Sequence, residues 1–257
     1  MQLGGWPCLV LLLGWAGSGW CQFEDLGISG GEGSSSSDFA QLFSKCVRGT
    51  PEFDHCIKDA INNARAFYTT GVPELNLPPI DPWNLDEVEQ YRSSYEIKLT
   101  NIQESSWAKA TIYKFKSSLK PGGYVQFTQF APITSLEGEY RALGKKAKGF
   151  SEGRFNFTLH DMHRTILITR NKLSPEKLKV KHSIHEIGNA KIYISNLADG
   201  RVERENFDNL VINSFWKFGF PLVRPLVEEL LDSAYSKKYT EIFANFNWDS
   251  LLPPASF

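Results

Sequence analysis

The residues of this sequence with the clearest potential for nucleophilic chemistry lie near its start. Residues 27–31 (GISGG) match the Gly-x-Ser-x-Gly pattern in which a hydrolase serine attacks a carbonyl carbon. That chemistry needs a strand before the serine and a helix after it, whereas Ser29 lies in a Gly/Ser-rich stretch. We therefore assign no catalytic residue and expect a protein that is not an enzyme.

Two pairs of histidines have a spacing that metal sites use. His160 and His163 are three residues apart, and so are His182 and His185. On a helix this spacing would bring two imidazoles to one metal ion, but on a strand residues three apart point to opposite faces. Glu186 follows the second pair, yet no cysteine pair accompanies either. We expect solvated or core-edge histidines, with no metal and no other cofactor.

The first 21 residues contain no charged side chain. Their apolar run, residues 8–15, is followed by small residues, which is typical of a secretory signal peptide and predicts a secreted, extracellular protein. The run is shorter than the roughly 18 residues that span a bilayer, so we expect no stable membrane insertion. Cleavage after Cys21 and cleavage after Gly19 are both compatible with the sequence.

The number of cysteines favours the first of these cleavage sites. Cleavage after Cys21 leaves Cys46 and Cys56, an even pair that an oxidising compartment would join as a disulfide. Cleavage after Gly19 would leave Cys21 as an odd thiol. Two free thiols, buried as small apolar groups, are the alternative to the Cys46–Cys56 bond.

Charge and composition restrict the class of partner. Lys plus Arg number 28 and Asp plus Glu 29, for a net charge of -1, which argues against a nucleic-acid binder because phosphate binding requires a basic excess. Residues 22–37 are rich in Gly and Ser and predict a flexible leader. We expect residues 38–257 to form a single domain.

Asn156 begins an Asn-Phe-Thr sequon, which predicts an outward-facing, glycosylated Asn156.

Hydrophobic periodicity divides that domain into three parts. Thr50-Pro51-Glu52 resembles a helix start, and apolar residues then recur at helical spacing as far as Gly71. The four prolines in residues 71–82 predict a stiff, extended connector. From Tyr91 to Ser195 apolar and polar residues alternate, which predicts a long antiparallel sheet with one apolar face. On the strand around Asn156, Phe155 and Phe157 must then point inward.

The helical period returns after Asn206. We place Pro225 in the first turn of a helix whose apolar stripe, about 20 residues long, includes Val227, Leu230, Leu231 and Ala234. A sheet with one apolar face must bury that face. The sequence therefore predicts an α+β fold in which a single, highly curved antiparallel sheet wraps around a long C-terminal helix and can enclose a cavity.

Several segments together resemble the insect juvenile-hormone-binding and takeout-like secreted carrier family, over about residues 39–257. They are Cys46, 56–60 (CIKDA), 71–75 (GVPEL), 77–82 (LPPIDP), 136–140 (LEGEY), 196–197 (NL), 199–200 (DG), 213–216 (NSFW) and 251–253 (LLP). The resemblance implies an internal tunnel, one N-terminal disulfide and apolar ligands such as hormone-like terpenoids or fatty acyl chains. It implies no enzymatic activity.

Two departures from the family pattern stand out. Residues 145–149 (KKAKG) replace an apolar strand, which affects the expected size of one end of the tunnel. The second disulfide of the hormone-binding branch cannot form, which favours the takeout-like branch.

The resulting hypothesis is a carrier that holds a small hydrophobic ligand in a tunnel. The expected lining residues are Phe67, Trp83, Tyr95, Ile97, Leu99, Tyr140, Phe155, Phe157, Ile192, Ile194, Phe215, Val227, Leu230, Leu231 and Ala234. The alternative is a secreted regulatory protein that acts through surface contacts with a protein receptor. Lys177, Lys179 and Lys181 predict a solvated strand face, with contact to anionic headgroups as the other interpretation.

Overall fold

The structure is a computed structural model that describes residues 36–118, 123–144, 149–170, 174, 177–197, 201–243, 246–247 and 251–253. The predicted signal peptide, Ser29, most of the leader and Lys145–Lys148 lie outside these residues. The described chain begins in a helix at Ser36, two residues before the expected start of the domain.

Two short helices open the described chain. Helix α1 is Ser36–Phe43 and helix α2 is Phe53–Asn63, which continues as a 3-10 turn, Ala64–Phe67. The predicted disulfide is present: Cys46 and Cys56 are bonded, with their Cα atoms 5.4 Å apart. It joins the segment after α1 to the first turns of α2 and closes a ten-residue loop.

The connector after α2 is a tight loop and not the extended segment that its prolines predict. Pro73–Leu75 forms a 3-10 turn, and Val72 bridges back to Leu77. Gly71 has a φ of +70°, and a Cβ there would lie 2.5 Å from the carbonyl oxygen of Leu77, so only glycine fits.

Seven antiparallel strands form one curled, open sheet within the described residues. They are β1 (Trp83–Leu85), β2 (Val88–Tyr91), β3 (Tyr95–Ser105), β4 (Thr111–Ser117), β5 (Tyr124–Gly144), β6 (Gly149–Arg170) and β7 (Leu178–Ile194). The order is β1-β3-β5-β6-β7, with β2 also paired to β3 and β4 to β5. The predicted sidedness holds at the sequon, since Asn156 is exposed and Phe155 is buried.

A single helix, α3 (Val202–Phe243), follows the sheet and is twice as long as the sequence pattern predicts. Pro225 therefore lies inside the helix and not in its first turn, as does Pro221. Each proline removes one backbone donor, which leaves the carbonyls of Lys217 and Pro221 without their helical partner. Both residues are exposed, so water can reach these carbonyls and the helix can continue through both prolines.

Two larger clusters of buried side chains stabilise the described fold. The first lies between the C-terminal half of α3 and strands β1–β7, around Trp83, Trp107 and Tyr235. The second joins α1, α2 and the disulfide, around Phe39 and Phe67. Both clusters are remote from the N-terminal half of α3, which leaves that half as the least buried part of the helix.

Candidate functional site

Polar side chains of α3 bind the free edge of β7. The backbone amides of Ile192 and Ile194 donate to the side-chain oxygens of Asn213 and Asn209, at 2.8 and 2.9 Å. Further along, Ile184 donates to Glu228 at 2.8 Å. The series continues with Val180 to Ser236 and Leu178 to Thr240. We call this series the edge ladder.

The edge ladder follows from the dimensions of the two elements. Four residues of helix rise 6.0 Å, close to the roughly 6.8 Å that two residues of antiparallel strand advance. A polar residue at every fourth helix position therefore meets every second amide of the strand. Among the described contacts, no β7 amide donates to α3 between Asn213 and Glu228, the segment that contains Pro221 and Pro225. The contact to the β7 backbone in that segment is a 3.4 Å hydrogen bond from Nη1 of Arg224 to the carbonyl of Ile184.

The N-terminal half of α3 presents an apolar stripe to solvent. Phe207, Phe215, Phe218 and Leu222 are 60–83% exposed, and Val211 is 39% exposed. These positions follow one another at intervals of three or four residues and therefore share one face of the helix. Asn209 and Asn213 point to β7 from the opposite face, so the edge ladder fixes the direction in which this apolar stripe points.

The sheet has its own apolar residues at the same level as the apolar stripe. Ile192 pairs with Phe157, and Ile194 with Phe155, so one face of β6 and β7 carries four apolar side chains here. The Phe155 and Phe157 rings lie 5.1 Å apart. Phe157, Ile192 and Ile194 are half-buried and belong to none of the buried clusters.

Gly138 on β5 makes room for this surface. A Cβ at Gly138 would lie 2.9 Å from Cζ of Phe155, so the absence of a side chain lets the phenylalanine ring cover the strand. Tyr140 follows on the same strand, and its hydroxyl donates to the carbonyl of Ser195 at 2.7 Å and contacts Oγ of Ser151 at 2.7 Å. The Tyr140 hydroxyl is thus engaged by the protein itself.

The other end of the sheet is closed by packed aromatic rings. Trp83 is 2% exposed and meets Tyr235 edge-on with ring centroids 5.1 Å apart. Ala234 is 2% exposed in the same cluster, and Leu99, Leu230 and Leu231 pack against it. These expected tunnel residues therefore fill a closed core in this structure.

A buried ion pair lies within that core. Nη2 of Arg164 donates to Oε1 of Glu104 at 2.7 Å, and the Tyr235 hydroxyl donates to the other carboxylate oxygen. The guanidinium also lies 4.6 Å from the Trp107 ring centroid. Burial opposes the charge on Arg164, but the neighbouring carboxylate outweighs it and raises the guanidinium pKa, while burial raises the pKa of Tyr235 well above 10. The guanidinium is thus charged, and the phenol is neutral.

His182 is the one histidine of that core. Its Nδ1 lies 3.1 Å from Oδ1 of Asp232, the carboxylate that also accepts from the His182 amide, while its Nε2 is buried without a partner among the described atoms. Burial lowers the pKa of His182, although the hydrogen bond to Asp232 opposes the shift. His182 is therefore neutral at pH 7.

The comparisons with known proteins agree with this architecture. Residues 26–253 match the family described as haemolymph juvenile hormone binding protein. The chain belongs to this family. Its fold is similar to that of the crystal structure of Takeout 1 from Epiphyas postvittana, with a TM-score of 0.57 and 18% sequence identity over 76% of this chain and 92% of the other.

A much weaker likeness exists to a crystal structure of lipopolysaccharide binding protein. The TM-score is 0.28 and the identity 9%, over 77% of this chain and 39% of that one. The search of curated proteins gave no match. Family membership thus rests on the sequence match, and the fold on the match to Takeout 1.

The remaining expected site residues are spread over the fold. Phe67 packs against Phe39 beside the disulfide, with ring centroids 5.1 Å apart, and is remote from the apolar stripe. Tyr95 and Ile97 on β3 and Val227 on α3 are half-buried. No group of three potential metal ligands occurs among the described residues, and none of the helices described there is long and apolar enough to cross a membrane.

Sequence reasoning missed most of the apolar stripe. The sequence shows an aromatic cluster, Phe215, Trp216, Phe218 and Phe220, of which only Phe215 is among the expected site residues. Phe207, Val211 and Leu222 are not predicted, because the sequence pattern places Pro225 in the first turn of the helix. The polar series Glu228, Asp232, Ser236 and Thr240, at intervals of four residues, is a signal that could have revealed the edge ladder.

Proposed function

We propose that the protein is a secreted, non-enzymatic carrier of a small hydrophobic ligand, such as a juvenile-hormone-like terpenoid or a fatty acid. The observation that carries this proposal is the apolar stripe of α3 (Phe207, Val211, Phe215, Phe218 and Leu222), which is largely exposed in a chain of this family. A contiguous row of large, exposed apolar side chains is typical of a binding site.

The ligand would bind on the apolar stripe, the face of α3 that points away from β7. Phe155, Phe157, Ile192 and Ile194 belong to the sheet on the other side of the helix and would form a second wall only if α3 turned its stripe toward them. The stripe is open to solvent in this structure, so the expected tunnel would require such a movement. Trp83 and Ala234 lie in the closed core and would limit the cavity at its far end.

The energy of burial is sufficient for a carrier. Each methylene that leaves water contributes roughly 0.8 kcal/mol, so ten would contribute roughly 8 kcal/mol, or micromolar affinity before the costs of association. Few polar groups are required on the protein side. This agrees with a site whose nearby tyrosine hydroxyl, that of Tyr140, is already hydrogen-bonded within the protein.

Native mass spectrometry of the protein from the medium of secreting cells, followed by organic extraction, tests this proposal. An adduct of small-molecule mass that is lost on denaturation would support it and identify the ligand class. A mass without adduct, together with failure to bind fatty-acid and terpenoid probes, would contradict it. The apolar stripe would then be assigned to the alternative, contact with a protein receptor.

A further inference from the structure

The face of the sheet that points away from the buried core carries a cluster of lysines. Along one cross-strand row Lys116 pairs with Gln126, Gln126 with Leu167, and Leu167 with Lys181. Cross-strand partners share a face, so Lys116 and Lys181 project from the same side, roughly 14 Å apart across four strands. Lys114 and Lys179 lie two residues from them on the same strands.

These lysines carry unneutralised charge. Lys114, Lys116, Lys179 and Lys181 are exposed, and no described carboxylate lies within ion-pairing distance of any of them. The residues between them are mainly uncharged, with a Thr128–Thr165 hydroxyl contact of 2.9 Å at the centre. In a chain whose net charge is -1, the cluster is therefore a local concentration of positive charge. We call it the basic face.

The basic face also contains a concavity with hydrogen-bond donors. A cavity of about 580 Å³ is lined by Lys114, Lys116, Thr128, His163 and His185, among others. Glu186 is the one acidic residue in that lining.

Tyrosines flank the lysines. Tyr113 is 42% exposed beside Lys114, and Tyr124, 37% exposed, shares a row with Lys179. Long cationic side chains with neighbouring tyrosines are typical of surfaces that contact the headgroup region of a bilayer.

We propose that the basic face is a docking surface for an anionic phospholipid membrane. Four exposed lysines, spread over a wide area, match a fluid array of phosphates better than the fixed carboxylates of one protein partner. Each lysine close to an anionic membrane contributes about 1 kcal/mol, or roughly fivefold in affinity, so four together give a measurable, salt-sensitive association. The apolar stripe is not part of this surface, so docking is independent of the proposed ligand site.

Vesicle co-sedimentation tests the docking surface. The whole protein is mixed with phosphatidylcholine vesicles or with vesicles that also contain phosphatidylserine. The test variant replaces Lys114, Lys116, Lys179 and Lys181 by Gln. The matched control replaces Lys58, Lys191, Lys217 and Lys237 by Gln, which changes the net charge equally. Circular dichroism and thermal unfolding check that both variants are folded.

We expect the parent and the control to bind phosphatidylserine vesicles, less so at high salt, and the test variant to bind at least roughly tenfold more weakly. The proposal would be overturned if the protein bound both kinds of vesicle equally, or if both variants bound equally. It would also be overturned if the protein were retained on immobilised polyglutamate but did not bind vesicles. Uptake of a fluorescent fatty acid, measured in parallel, should be the same for the parent and both variants, which separates this result from the carrier function.

Discussion

The side-chain amide of Asn209 binds the backbone of Ile194 in both directions: its Oδ1 accepts from the Ile194 amide at 2.9 Å, and its Nδ2 donates to the Ile194 carbonyl at 2.8 Å. Asn213 binds Ile192 in the same way, at 2.8 and 2.6 Å. Each asparagine thus acts as the partner strand that β7 lacks, and the pair orients the apolar stripe of α3.

Replacement of Asn209 by leucine should loosen the N-terminal half of α3. It removes three hydrogen bonds, two to Ile194 and one to the Glu205 carbonyl, and leaves both Ile194 backbone groups unpaired. The expected cost is roughly 1–3 kcal/mol in the free energy of unfolding. Hydrogen exchange of the Ile194 amide should accelerate. Asn206→Leu, at an exposed position of the same helix, is the matched control and should leave that exchange rate unchanged. An unchanged exchange rate of the Ile194 amide in Asn209→Leu would show that the edge ladder does not stabilise the N-terminal half of α3.

Serine at Phe215 and Phe218 should weaken ligand binding while the protein remains as stable as the parent. Both side chains are at least 60% exposed, so the fold gains little from them, whereas a bound ligand would bury them. Loss of roughly 1.5–3 kcal/mol per fully buried phenylalanine corresponds to at least tenfold weaker binding. Titration with a fluorescent fatty acid measures the effect.

Tyr91, which is 55% exposed on β2, provides the control for that experiment. Tyr91→Ser removes an exposed aromatic ring that lies outside the apolar stripe, so affinity should not change. If Phe215→Ser/Phe218→Ser binds as tightly as the parent, the ligand does not contact the stripe.

Glutamine at Glu104 should destabilise the protein strongly. It leaves the Arg164 guanidinium buried without a counter-charge, which costs about 3–5 kcal/mol. Replacing both partners by apolar residues, Arg164→Met with Glu104→Leu, should cost less than the sum of the two single changes. Denaturant unfolding measures the parent, Glu104→Gln, the two single variants Arg164→Met and Glu104→Leu, and the double variant. Additive effects would mean that the two groups are not coupled.

Acidification should destabilise the fold through His182. Because its pKa is lower in the folded than in the unfolded state, the unfolded chain binds the proton more readily, and stability falls as the pH drops below about 6.5. The melting temperature of His182→Gln should fall less steeply over the same pH range. A parallel profile for His182→Gln would assign the pH dependence to other groups.

Strand periodicity was sufficient to predict the sheet and its sidedness. The alternation through Phe155, Asn156 and Phe157 is imposed by the pleat itself, which is why it could be read without tertiary information. The Cys46–Cys56 bond followed from the number of cysteines, and its presence is confirmed.

Periodicity could not separate packed core from binding surface. Ala234 and Phe215 both occupy apolar helix positions, yet one is 2% and the other 60% exposed. The difference depends on which strands lie opposite, and no local pattern records that. The predicted start of α3 is wrong for a related reason. Proline in a helical pattern is most often found in the first turn of a helix. Here contacts on both sides of Pro225, such as Asn213 with Ile192 and Glu228 with Ile184, support a helix that continues through it.

The edge ladder has a consequence for the behaviour of the protein at high concentration. The unpaired amides of an outer strand are where chains join edge-to-edge and aggregate. On β7, helix side chains such as Asn209 and Ser236 occupy these amides. On β4, Asn62 and Asp54 of α2 accept from the amides of Ile112 and Ser117. The chain can thus expose a row of phenylalanines while these parts of both strand edges are protected from intermolecular pairing.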